Sequence, residues 1–142
     1  MNAISLDISS YLVSQGLGAK GGQSDWAIYR NQTLASGQDN GVASDNVITL
    51  TDTSGPPPAR TMNASQKLAQ FTGLQIMARG TVQNAVYERL KLIYDNINSI
   101  EKWITINNTI YMNFQPMSDI NIIARDERQR WIWTVNYQVI RK

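Results

Sequence analysis

The chain has 142 residues, 42% of them apolar and 17% charged, which suits one globular domain with its own core. A net charge of +2 is too mild for a protein that concentrates Lys and Arg against nucleic acid. There is no Cys and no His, which removes disulfides, the thiolate and imidazole ligands of the common zinc and iron sites, and any Ser-His-Asp or Cys-His nucleophile system. No apolar run approaches the roughly 20 residues of a membrane-spanning helix. Residues 1–7 lack the basic-then-apolar pattern of a secretory signal. Much of the polar content is Asn, Gln, Ser and Thr. Such a surface is cheaper to desolvate against a protein partner than a Lys/Glu-rich one.

In chain order, Ser5 is placed to cap a short first helix in which Ile4, Ile8, Tyr11 and Leu12 share one face. Gly16, Gly18, Gly21 and Gly22 end it in a flexible loop. Residues 26–30 read as a short strand and 31–45 as a long polar surface loop. Residues 46–52 alternate, with Val47, Thr49 and Thr51 opposing Ile48 and Leu50, as a strand does. An irregular, Pro-rich arm is expected at about 53–65. Residues 71–79 form the next strand, and Thr81 caps the main helix, 82–97. Its residues Val82, Ala85, Val86, Leu90, Ile93 and Ile97 make one apolar stripe.

The last third reads as antiparallel hairpins. Strands 103–106 and 109–115 flank an Asn107-Asn108 turn, and strands 120–125 and 130–141 flank a second loop. In the final strand Trp131, Trp133, Val135, Tyr137 and Val139 take one face. The expected architecture is α+β: residues 1–142 as a single domain, a mostly antiparallel sheet with one long helix packed on a face and a short N-terminal helix.

Chemistry-bearing motifs are sparse. Gly16 to Gly21 matches the dinucleotide pattern G-x-G-x-x-G, yet a helix precedes it and a loop follows, the reverse of what pyrophosphate binding requires. Eleven acids are scattered, and nothing brings two into a cleft, so a carboxylate-dependent hydrolase is a distant alternative. No catalytic residue, cofactor or metal ligand is assigned. Arg125, Arg128 and Arg130 gather at the last hairpin with Asp126 and Glu127, and Arg141 and Lys142 close the chain. They read either as a contact with an acidic protein surface or DNA, or as charge guarding a sheet edge. Trp131 and Trp133 could stack on bases, but their shared face favours core packing. Tyr87 and Tyr94 flank the helix stripe as interface anchors or as amphipathic cover. The strongest lead is the arm itself, with Ser54, Gly55, Pro56, Pro57, Pro58 and Arg60. A stiff segment loses little entropy on docking, so its natural place is against a neighbouring subunit.

Taken in order, these segments resemble the minor capsid or tail terminator family of long-tailed bacteriophages. The resemblance runs through the opening helix at residues 8–12 and a strand entering Asp52-Thr53-Ser54-Gly55-Pro56-Pro57. It continues in a strand ending Arg79-Gly80, a helix carrying Ala85-Val86-Tyr87 and Tyr94-Asp95, and the hairpin 124–130 leading to Val135-Asn136. Ser54 and Ala124 stand where the pattern usually has Gly. The resemblance implies a mixed α/β fold and a homo-hexameric ring in the virion. That ring would sit on the tail tube protein, stop its polymerisation and present a surface to the head-tail connector or neck protein. DNA would pass through the lumen without being read, and no membrane or catalytic residue is implied. Another neck component, a connector or stopper, is the alternative. The contact residues named above come from this chain's own pattern, not from the family.

Overall fold

The alternating C-terminal segment becomes the spine of the sheet. In this computed structural model, which describes residues 2–20, 25–31, 45–56, 59–60 and 67–142, β9 (Trp131–Arg141) pairs antiparallel with β5 (Lys67–Gly80). The ladder runs from Gln70 opposite Arg141 to Gly80 opposite Trp131. Beside β5 lie β3 (Val47–Thr53), β2 (Ala27–Arg30) and β1 (Ala19–Lys20); beside β9 lie β7 (Thr109–Pro116) and β6 (Ile104–Ile106). The order is β1-β2-β3-β5-β9-β7-β6, with β1–β2 and β2–β3 parallel and the other described pairings antiparallel. Two further strands extend its margins: β4 (Ala59–Arg60) against β5, and β8 (Asn121–Arg125) against β9.

Register decides which residues meet. Ile48 lies opposite Ala78, which lies opposite Trp133; Leu50, Ile76 and Val135 line up likewise, as do Asp52, Leu74 and Tyr137. Directly paired residues share a face, so one face collects the apolar set. Both helices cover it. The stripe Val86, Leu90, Ile93 and Ile97 of α2 (Gln83–Asn98) and the residues Ile4, Ile8 and Leu12 of α1 (Ile4–Ser14) are buried in the same core cluster. A bulge between Tyr111 and Asn113 lets Tyr111 and Phe114 both turn into that core, where their rings stack at 5.4 Å. The α+β expectation, with a short N-terminal helix and a longer middle helix on a mostly antiparallel sheet, is what forms.

Two expected caps are corrected. Helix α1 starts after Ala3, and neither helix has a side-chain cap at its N-cap residue; Val82, not Thr81, precedes α2. Ser5 sits inside α1 and is fully buried. The first turn is capped from outside instead. Ser5 donates its backbone N–H (2.9 Å) and its hydroxyl (2.7 Å) to the two oxygens of Asp52 on β3. A carboxylate at a helix N-terminus satisfies orphan amides and suits the helix dipole. Asn31 also donates to Asp52, at 2.8 Å. Burial alone would raise the Asp52 carboxyl, but the donors Asn31 and Ser5, with Arg141 nearby, hold it below the usual range. The expected Asn107-Asn108 turn is present, with φ values of 47° and 64°, as a two-residue hairpin turn of the primed type requires.

The same first turn of α1 is also tied to the C-terminal half of the chain. Asp7, fully buried, accepts from the Tyr111 hydroxyl at 2.6 Å, from Asn107 at 2.9 Å and from Asn2 at 3.1 Å. Burial pushes the Tyr111 hydroxyl well above its ordinary pKa, and its bond to Asp7 adds to that. Removing the carboxylate strands three donors around a buried position. We therefore expect Asp7→Ala to cost about 3 kcal/mol and Tyr111→Phe about 1 kcal/mol, measured by urea denaturation followed by tryptophan fluorescence.

Candidate contact surfaces

The arm and the last hairpin, the two elements singled out in the sequence, occupy opposite ends of the β5–β9 ladder. Ten residue steps separate Gln70–Arg141 from Gly80–Trp131, roughly 34 Å of strand.

At the first end, β3 and β4 pair antiparallel with successive stretches of β5. Thr53 faces Gly73 and Ala59 faces Ala69, so six residues advance on one strand against four on the other. The two residues in excess are accommodated between those two pairings, and the chain leaves the β3 ladder after Thr53. Ser54, Gly55 and Pro56 there are exposed. Gly55 lies so close to β5 that a Cβ would sit 2.5 Å from the Phe71 carbonyl oxygen. Only glycine fits where the chain leaves the ladder. Pro57, Pro58 and residues 61–66 lie outside the described residues. The backbone of Arg60 is in β4, opposite Lys67. In the described part of the arm, residues 54–56 are in no strand, and Ala59–Arg60 pair with β5 across a register shift. Because β9 ends beside Gln70, residues 67–69 of β5 have only β4 as a described partner. The β4–β5 ribbon therefore runs past the end of the β5–β9 ladder.

At the second end, β8 and β9 are joined by a loop held from within. Asp126 accepts from the backbone N–H groups of Arg128 (3.0 Å) and Arg130 (2.9 Å) and from the Arg130 Nε (2.7 Å). Arg130 is only 1% exposed and also reaches Asp45 at 3.1 Å. Arg130 and Asp126 were named as contact residues, and the structure commits both to the loop's own interior. The outward side of the hairpin carries Arg125, Glu127 and Arg128. Arg125 lies over the Trp131 ring at 3.8 Å, a cation–π contact that fixes its direction. Arg141, grouped with the basic chain end, is likewise turned inward, donating to the Asn2 carbonyl (2.6 Å) and to Gln70 (3.2 Å).

The aromatic residues resolve toward packing. Trp131 and Trp133 are half-buried against the core, and Tyr87 meets Trp133 edge-on at 5.2 Å. Tyr94 lies on Tyr137 at 6.2 Å, while Tyr87 stays partly exposed. Gly16 ends α1 at φ 71°, and a two-residue strand follows, so no helix N-terminus stands behind the glycine motif. Three acids, Asp7, Asp52 and Asp126, have structural hydrogen bonds. Among the described residues no three Asp or Glu gather as a metal site would need, and no helix is long and apolar enough to cross a membrane.

The residue pattern gave β8 as a strand, and what it missed is that the strand stands uncovered. Its five residues are all exposed, with Ile122 at 44% and Ile123 at 53%. A scan against protein families finds no match, and no curated protein matches the chain significantly.

The loop clasp makes a pH prediction. Burial raises the Asp126 carboxyl, but the backbone and guanidinium donors of Arg130, its charge, and the Arg128 amide together bring it below its ordinary 3.8. A carboxyl lowered on folding stabilises fully above its unfolded value and loses that stabilisation as pH falls through its folded value. Acidification from about pH 5 to about pH 3 should therefore lower the protection factors of the Arg128 and Arg130 amides, their exchange being referred to the intrinsic rate at each pH. In Asp126→Asn the same protection factors should be low already at neutral pH and change little with acid.

Proposed function

We propose that the chain is a non-enzymatic structural subunit that closes into a ring. Within that class, the reading that fits it best is the tail terminator of a long-tailed bacteriophage. It would form a homo-hexameric ring of identical subunits that caps the tail tube, stops its growth and offers the joining surface to the head side. The carrying observation is the placement of a projecting β-ribbon at one end of the β5–β9 ladder and of the exposed β8 hairpin at the other. Closed rings need heterologous, head-to-tail contacts between two different patches of one subunit. Two patches on opposite ends meet that requirement, whereas a single self-complementary patch gives a dimer. The collinear order of the resembling segments, from residues 8–12 to Val135-Asn136, supports the phage assignment. The low charge of the chain suits a surface that spends itself on protein contacts.

The test is electron microscopy with mass determination, on the protein alone and mixed with its tail tubes. Rings of about six subunits, or density capping one tube end, are expected. Binding only at the portal end of heads would favour a connector or stopper. A monomer that touches neither tubes nor heads would sink the structural reading.

A further inference from the structure

We infer that β8 is an acceptor edge for β-strand addition, and that its occupant is the β4–β5 ribbon of a second copy of this chain. The inference rests on the ring reading above and adds to it the mode and the strands of the subunit contact.

The acceptor side is a strand with its outer edge open. Among the described residues β8 pairs only with β9, and none of its five residues is covered. A sheet edge of this kind is a template for another strand unless something blunts it. Proline, lysine or an inward charge would do so, and 121–125 is Asn-Ile-Ile-Ala-Arg, with charge only at its last residue. One blunting device is present, the bulge between Ile122 and Ala124. It interrupts the ladder to β9 but leaves both isoleucines at the surface. Strand addition gains affinity from main-chain hydrogen bonds and specificity from alternate side chains. Ile122 and Ile123 supply exposed apolar side chains beside the added strand.

The donor side is the ribbon. Residues 67–69 run beyond β9, held only by β4 among the described residues. A two-stranded ribbon is marginal by itself, and a third strand stabilises it. The ribbon cannot fold back onto its own β8, because the two lie at opposite ends of the ladder, roughly 34 Å apart. They also pair with different strands, β4 with β5 and β8 with β9. One copy can therefore give its ribbon to a neighbour while accepting another on β8. Charge is compatible as well. From 53 to 87 the chain has no acid, and Arg60 and Lys67 belong to the ribbon, while exposed Asp119 and Glu127 bracket β8 with Arg128 beside them. A foreign strand would satisfy β8 but would leave the ribbon unexplained; a second copy satisfies both.

The absence of native cysteine gives a clean test. Two single variants, Ala69→Cys and Ile123→Cys, are purified separately, checked for native circular dichroism, mixed, assembled with tail tubes and treated with a short bismaleimide. Ala124→Cys replaces Ile123→Cys if the latter does not fold. The expected result is a crosslinked heterodimer in the mixture and little crosslinking in either variant alone. A chain carrying both cysteines should give a ladder ending at the ring's full subunit number. Rings that form without the mixed crosslink, or that crosslink Ile123→Cys to itself, overturn the inference and leave the ring reading intact. Crosslinking of Ile123→Cys to tube protein overturns the choice of occupant. If no ring forms at all, on tubes or free, both readings fail together.

Discussion

The β5–β9 ladder is the constraint on which the rest depends. Its register, Gly80 opposite Trp131 to Gln70 opposite Arg141, aligns Leu74, Ile76 and Ala78 with Tyr137, Val135 and Trp133 on one face. Both helices then have one apolar surface to cover. A shift of one residue would turn every one of those side chains to the other face. The same ladder sets the length of the molecule and so the distance between its two margins of open strand. Core packing and contact geometry thus follow from a single pairing.

Carboxylates fix what the apolar pattern leaves free. Asp52 reaches from β3 to cap α1, Asp7 reaches from α1 to Tyr111 on β7, and Asp126 gathers the loop before β9. Each joins parts of the chain that hydrophobic burial alone would hold together without orienting. Directional hydrogen bonds to a carboxylate supply that orientation, and they are costly to lose in a buried setting. In the linear sequence these acids look scattered and idle. Their partners lie 47 and 104 positions away for Asp52 and Asp7, which no local reading reaches.

The elements themselves were legible because periodicity is local. The stripe of α2, the alternation of β3 and β9 and the Asn107-Asn108 turn all formed within a residue or two of their expected bounds. The caps were misread because Ser5 and Thr81 have the right chemistry at the right spacing, and tertiary contacts supplied something else. At Ser5 the hydroxyl was drawn to Asp52. The contact elements were half legible. The arm was visible as a Pro-rich break, but its pairing with residues 67–69 was not. The arginine cluster was visible, but not that Arg130 and Arg141 turn inward.

The sequence by itself determined the α+β class, the order of the two helices and the longer strands, and the exclusion of His- and Cys-based chemistry. These depend on composition and on spacings of two to four residues. Only the tertiary structure decided that β8 stands uncovered, that β4 and β5 form a ribbon beyond the ladder, and which charges face outward. Those depend on strand order and register between residues far apart in the chain. Exposure is a property of what packs against a residue, and for β8 that is settled by elements the local sequence does not contain.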